Sequence, residues 1–203
     1  REIFPISSEY SLDQLRKDYI KDNPDAVVEV DGKGETEFRN ILALKIKQYL
    51  KNREENKKDI INVSSANTYI RFAGKKMRSK IGEKGDGSWS KITDLVAYEI
   101  SNTLIDGVSI TILIGPSSDQ EIRQKWHNFA TNNPVFGGRY RVMKRKWDPM
   151  MKGIKLSEAR ENYNSDEEYF SAVLTNLENW FNNNFEIFES EIEKAPFDLK
   201  NEI

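Results

Sequence analysis

Short apolar runs, each bounded by turn residues, occupy the middle of the chain. We predict four strands there, at residues 60–63, 68–72, 95–100 and 108–114. These runs are rich in β-branched and aromatic residues, which favour the pleated, half-buried surface of a sheet. Gly107 lies at a turn between the last two strands, and we expect residues 102–106 to form a hairpin-like loop. Cations and apolar residues are interleaved over residues 139–147, and we interpret this stretch as a further strand.

Apolar positions spaced three and four residues apart predict helices on either side of these strands. In the N-terminal third, one helix begins at Ser11, a short strand follows at residues 26–30, and a largely buried helix covers residues 38–50. Residues 51–58 are almost all charged or carry amides, and we interpret them as a solvated helix end or a linker.

Two later helices have recognisable starts. Ser118 follows a Gly-Pro break and is the predicted N-cap of one helix, with Glu121 three positions on as its capping-box partner. Ser165 and Glu168 repeat this arrangement at the start of the longest helix, whose apolar stripe faces inward.

These elements predict the fold class and the organisation of the chain. We expect an α/β or α+β fold: a mixed, mainly antiparallel sheet packed by helices, with a long C-terminal helix. Residues 51–58 offer the best boundary. We therefore divide the chain into a helical N-terminal section, residues 1–58, and an α/β domain with a strand-rich middle and a C-terminal helix, residues 59–203.

The amino-acid composition limits the class of protein and the compartment that we expect. Of the 203 residues, 32% are charged and none is cysteine, so the chain has a well-solvated surface and cannot form a disulfide or a thiolate metal site. No stretch approaches the roughly 18 apolar residues of a membrane span, and no secretory leader is visible. We expect a cytoplasmic protein without a membrane partner. The chain begins with Arg1, so we expect it to be a piece of a longer protein.

Charge is unevenly distributed although the formal net charge is only −2. Two basic stretches, residues 71–91 and 139–152, precede an acidic C-terminal region. Cations beside aromatic residues can neutralise phosphates and stack bases. The candidate nucleic-acid-binding residues are Arg71, Lys75, Lys76, Arg78, Arg139, Arg141, Lys144, Arg145, Lys146 and Trp147. The alternative is that these cations form a solvated face that pairs with the chain's own acidic helix.

Catalytic and metal-binding patterns are missing from the sequence. His127 is the only histidine, so a histidine metal site is implausible, and we favour a structural role over that of a lone general base. No nucleophile elbow, phosphate-binding loop or dinucleotide fingerprint is present. Acidic residues two positions before a lysine occur at Asp31 and Glu55, outside convincing strands, whereas Glu99 lies on a strand without the lysine. We predict no catalytic residue, no metal ligand and no cofactor.

Several segments resemble a known family. They are YIRF at residues 69–72, LVAYEISN at 95–102, SITILIGP at 109–116, EIRQK at 121–125 and FPIS at 4–7. Together they resemble the C-terminal part of bacterial and prophage proteins of the PD-(D/E)XK nuclease superfamily, and they cover about a third of the chain. In those proteins a nuclease-like domain is followed by helices and a strand-rich tail. The resemblance implies that the catalytic carboxylates and lysine precede Arg1.

Three functions follow as hypotheses. The first is an accessory domain of a bacterial nuclease-like protein that binds or positions nucleic acid, with DNA or RNA, or another domain of the same protein, as partner. The second is a protein-interaction or structural domain with no nucleic-acid role. The third is an enzyme with an unrecognised carboxylate site.

Overall fold

An antiparallel sheet forms the centre of the computed structural model. The structure describes residues 33–64, 66–88, 93–103, 106–137, 142–144 and 146–197. The strands are β1 (Ile60–Ile61), β2 (Tyr69–Gly74), β3 (Val96–Thr103), β4 (Gly107–Ile114), β5 (Asp148–Pro149) and β6 (Ile154–Lys155). Their order is β1-β2-β3-β4-β5, and β6 also pairs with β4. Every described pairing is antiparallel.

Helices precede, interrupt and follow these strands. The α-helices are α1 (Lys33–Asn56), α2 (Lys75–Ile81), α3 (Gln120–Asn132), α4 (Asp166–Trp180) and α5 (Glu186–Glu193). Short 3-10 turns cover Pro134–Phe136 and Arg160–Asn162, and a π-helical turn, Phe181–Phe185, joins α4 to α5. The predicted fold class, an antiparallel sheet packed by helices with a long C-terminal helix, is confirmed.

Helix α1 packs on the sheet and on α4. Its residues Phe38, Leu42, Ile46 and Leu50 belong to the same buried cluster as the sheet and the C-terminal helix. The helix continues to Asn56, so most of the charged run is a solvated helix end. The helix predicted from Ser11 and the strand predicted at residues 26–30 lie outside the described residues.

The two faces of the sheet differ in chemistry because successive side chains of a strand point to opposite sides. One face, the core face, carries large apolar residues such as Phe72 on β2 and Tyr98 on β3, whose rings stack at a centroid distance of 5.1 Å. Helices α1, α3, α4 and α5 contribute to the same cluster. The opposite face, the polar face, carries Arg71 paired across the strands with Glu99, which in turn pairs with Thr111.

The start of α3 differs from the prediction. Asp119, rather than Ser118, is the N-cap, and its carboxylate accepts a hydrogen bond from the backbone N–H of Ile122 at 3.0 Å. The nearby Ser117 hydroxyl donates to the carbonyl of Lys84, which ties the loop before α3 to the loop after α2. A carboxylate is as good a cap as a hydroxyl, and the additional residue of loop allows this contact.

The C-terminal helix begins as predicted. The Ser165 hydroxyl accepts a hydrogen bond from the N–H of Glu168, whose own carboxylate reaches back to the N–H of Asn164. The run of three asparagines lies within the π-helical turn, where weak helix propensity permits a wider turn. The turn keeps Phe181 and Phe185 buried on the core side.

In the described part of the chain, no helix has the combined length and apolar character needed to cross a bilayer.

Candidate functional site

The cations predicted to bind nucleic acid fall into two groups. The first, the α2 cations, comprises Lys75, Lys76 and Arg78. Lys76 pairs with Glu186 and Glu193 of α5, and the hydrogen bond with Glu186 raises the pKa of Lys76. Arg78 pairs with Glu83 and Asp94. Lys75 is exposed. Two of the three α2 cations therefore have their charge matched within the chain, one of them by the acidic C-terminal helix.

A buried carboxylate holds α2 against α5. Glu189 of α5 is 1% exposed and accepts hydrogen bonds from the N–H of Met77 at 3.1 Å and the hydroxyl of Tyr98 at 2.9 Å. Its carboxylate thus caps α2 from a distant part of the chain. Gly74 makes room for it, since a Cβ there would lie 2.1 Å from a carboxylate oxygen. Burial raises the pKa of Glu189 to about 7.

The second group begins on the polar face of β2. Arg71 is 7% exposed and donates from Nε to Glu99 Oε2 at 2.7 Å, with its Nη2 2.6 Å from the same oxygen. Burial raises the pKa of Glu99, and Arg71 opposes that rise. The register of β2 with β3 creates this pair, because Arg71 and Glu99 are direct cross-strand partners. The charge of Arg71 is matched by Glu99.

Two aromatic rings contact this guanidinium. Arg71 lies over the ring of Trp147 at 5.1 Å and over the ring of Tyr69 at 5.6 Å. Cation–π attraction favours both placements. Tyr69 precedes Arg71 by two residues on the same strand and therefore shares its face. We call these three residues the aromatic cluster. It joins Trp147, from the second basic stretch, to a strand of the sheet.

The basic segment, residues 142–147, ends at Trp147. The prediction of a strand over residues 139–147 is wrong where the structure describes them, because residues 142–144 and 146–147 are irregular and β5 begins only at Asp148. Hydrogen bonds from buried side chains hold this irregular backbone in place of pairing with another strand. Arg123 of α3 is 1% exposed and donates to the carbonyls of Lys144 at 3.0 Å and Lys146 at 3.1 Å.

A second contact fixes the end of the basic segment. Asp148 is fully buried, accepts a hydrogen bond from the N–H of Lys144 at 3.2 Å, and lies 2.6 Å from His127 Nδ1. His127, with 3% exposure, is therefore buried rather than at the surface. We call Arg123, His127 and Asp148 the anchoring residues. Arg123 and Asp148 bind the backbone of the basic segment and not its charged side chains, and His127 contacts the Asp148 carboxylate.

The side chains of Lys144 and Lys146 remain exposed. Among the described residues, neither lysine has an ion pair, in contrast to Lys76 and Arg78. The structure thus brings together Arg71, Lys144, Lys146 and Trp147, whereas the α2 cations belong to a helix on the core side of the sheet. Arg139, Arg141 and Arg145 lie outside the described residues.

Sequence reasoning missed several members of this site. Tyr69 could have been found from its spacing of two residues from Arg71 on a predicted strand. Glu99 was recognised as a strand residue, but its partner depends on register. The anchoring residues gave no signal, because Arg123 and His127 lie on a helix whose distance from residues 144–148 depends on the tertiary fold.

An open groove of about 700 Å³ lies elsewhere, between the end of α3 and the tail after α5. Its lining combines asparagines and apolar groups with Lys125 and Glu191. No group of three or more histidine, aspartate or glutamate side chains suited to a metal ion is found in the described ranges.

Comparison of the chain with protein-family models, with curated proteins and with solved structures found no match.

Proposed function

We propose that this chain binds nucleic acid through the basic segment and the aromatic cluster, as an accessory domain of a bacterial PD-(D/E)XK nuclease-like protein. The observation that carries the proposal is the placement of Trp147 over Arg71, which attaches the exposed lysines of the basic segment to the edge of the polar face. Exposed cations next to aromatic rings suit a polyanion whose bases also present flat faces.

The anchoring residues support this proposal. A long basic loop loses conformational entropy when it binds, and that loss weakens binding. Arg123 and Asp148 fix the carbonyl of Lys146 and the N–H of Lys144 before any ligand arrives. The contacts use backbone atoms, so the lysine side chains keep their charge for phosphates.

The surface is smaller than the sequence suggested. Lys76 and Arg78 already pair with carboxylates, and a phosphate would have to displace those partners. We therefore assign Lys76 and Arg78 a structural role. The assignment of a cytoplasmic setting is part of the same proposal and is supported by the absence of cysteine from the sequence.

Charge reversal tests the proposal. The double variant Lys144→Glu, Lys146→Glu should lose most binding to a labelled oligonucleotide at low salt, measured by fluorescence anisotropy. The control is Lys51→Glu, Lys57→Glu, which makes the same change in net charge at two exposed lysines near the end of α1. The control should bind as the unmodified chain does. Binding that is absent at low salt, or that survives the first variant unchanged, overturns the proposal.

A protein partner is the second candidate. Tryptophan, tyrosine and arginine are the residue types that most often anchor protein interfaces, and all three form the aromatic cluster. If the partner is a protein, we expect one of two results. Either the unmodified chain binds no nucleic acid, or the two charge-reversal variants bind it equally well.

A further inference from the structure

We infer that the ligand is a single-stranded nucleic acid whose unpaired bases stack on Tyr69 and Trp147. This inference rests on the proposed function and adds to it the class of ligand. It also assigns to the two rings a direct contact with bases, beyond their contact with Arg71.

Exposure of the two rings is the first observation. Tyr69 is 44% exposed and Trp147 is 36% exposed, and they are the aromatic residues with the most exposed side chains in the part of the chain that the structure describes. Other rings, such as those of Trp126 and Trp180, are buried in the core. Because both exposed rings contact the same guanidinium, they form a single aromatic surface.

Rigidity of this surface is the second observation. The guanidinium of Arg71 is fixed by Glu99, and it in turn holds one ring on each of two chain segments. Arg123 fixes the carbonyl of Lys146, the residue before Trp147. Rings that are already oriented lose little entropy when a base stacks on them.

Charge is the third observation. Because Glu99 matches Arg71, the described cations without a carboxylate partner at this surface are Lys144 and Lys146. Stacking of one unpaired base on an aromatic ring contributes about 1–3 kcal/mol, and the bases of a duplex are not available for it. Two exposed rings beside two exposed lysines therefore favour single strands over duplexes.

The exposed side chain of Val142 also supports contact with bases. It is 78% exposed and lies in the basic segment, two residues from Lys144. An apolar side chain at such a position contributes nothing to phosphate binding, but it can contact the edge or face of a base.

The test compares a single strand with a strand of equal charge that has no bases, and with a duplex. Three labelled ligands are titrated with the full chain at one salt concentration: an oligothymidine of ten nucleotides, a strand of ten abasic sites, and a ten-base-pair duplex. Oligouridine is the RNA counterpart of the first. We expect the oligothymidine or the oligouridine to bind at least about 10-fold more tightly than the abasic strand, which has the same phosphates but no bases. The duplex, despite its greater charge, should bind less tightly than the oligothymidine.

Variants of the rings complete the test. Tyr69→Ala should lower affinity for the oligothymidine by about 5-fold or more and leave the abasic strand unaffected. Trp147→Phe keeps a ring over Arg71 and should bind nearly as well as the unmodified chain, whereas Trp147→Ala should not. Circular dichroism checks that each variant is folded, and Trp147→Phe keeps the test valid if Trp147→Ala unfolds.

Two results separate the inference from the proposed function. Equal affinity for the oligothymidine and the abasic strand, both abolished by Lys144→Glu, Lys146→Glu, would overturn base stacking and leave nucleic-acid binding intact. Absence of binding to all ligands would overturn both.

Discussion

The two basic regions of the chain look alike in sequence and differ in how the fold uses them. In α2 the charges themselves are engaged, because Lys76 and Arg78 pair with carboxylates from α5 and from neighbouring loops. In the basic segment the backbone is engaged instead, by Arg123 and Asp148, and the lysine side chains stay exposed. A cluster of cations in a sequence therefore says little about function until the position of its counter-charges is known.

The basic segment should depend on Arg123 more than on any of its own side chains. Arg123→Met removes the hydrogen bonds of a buried guanidinium and leaves the carbonyls of Lys144 and Lys146 without that donor, so we expect a loss of about 4 kcal/mol in the free energy of unfolding. Urea denaturation measures it. Gln124→Met, on the exposed side of the same helix, is the control and should change stability by less than about 0.5 kcal/mol.

The same variant should change the environment of Trp147. With the carbonyl of Lys146 released, iodide should quench more of the tryptophan fluorescence at denaturant concentrations where the chain is still folded. Unchanged quenching and a stability within about 0.5 kcal/mol of the unmodified chain would show that the anchoring residues do not hold the basic segment.

The contact between α2 and α5 should depend on pH through Glu189. Burial raises its pKa to about 7 in the folded chain from 4.5, so the folded state binds this proton more tightly than the unfolded state does. The stability that protonation supplies is complete below about pH 4.5 and is lost as the pH rises through about 7. The total loss from this residue is about 3 kcal/mol.

Glu189→Gln isolates this contribution. The variant keeps one oxygen, which can accept from either Met77 or Tyr98, and has no proton to lose. Its free energy of unfolding should be less dependent on pH between 5 and 8 than that of the unmodified chain, as followed by thermal melts. Glu186 lies close enough to influence Glu189, so Glu186→Gln is the matched control and should retain most of the dependence. Identical pH profiles for Glu189→Gln and the unmodified chain would exclude Glu189 as the titrating group.

The ion pair of Arg71 with Glu99 on the polar face can be tested by a double-mutant cycle of Arg71→Met and Glu99→Gln. Arg71→Met leaves the Glu99 carboxylate buried without its cation, whereas Arg71→Met, Glu99→Gln removes both charges. We expect the second change to recover about 2 kcal/mol of the stability that the first one loses. Chemical denaturation of the four chains gives the coupling energy. Additive losses would mean that Arg71 stabilises the fold through its two aromatic contacts and not through Glu99.

Sequence reasoning reached the fold more easily than the site, for physical reasons. The sheet and the long helix follow from local periodicity, and Ser165 caps its helix as its spacing to Glu168 predicts. The cap of α3 lies one residue beyond the prediction, at Asp119, and the nearby Ser117 makes a tertiary contact that the sequence pattern does not reveal. The expected strand at residues 139–147 had suitable residue types but no neighbouring strand to pair with where it is described.

The members of the site depend on contacts between distant segments. Residues 71 and 99 meet through strand register, and residues 123 and 146 meet through the packing of α3. The pattern of residues within either segment alone does not predict these contacts. The sequence did contain the alternative that cations pair with the acidic helix, and that description fits Lys76 with Glu186 and Glu193.

The smallest effects should separate the two basic regions most directly. Lys146→Gln should leave the melting temperature unchanged and reduce the dependence of nucleic-acid affinity on salt by about one unit of log–log slope, because one phosphate contact is lost. Lys76→Gln should do the opposite: a slight loss of stability, since its ion pairs are at the surface, with no change in affinity or slope. Anisotropy titrations over a range of salt concentrations measure both. A fall in the slope for Lys76→Gln equal to that for Lys146→Gln would return Lys76 to the binding surface, because it would show that the ion pairs of Lys76 with α5 do not prevent contact with phosphates.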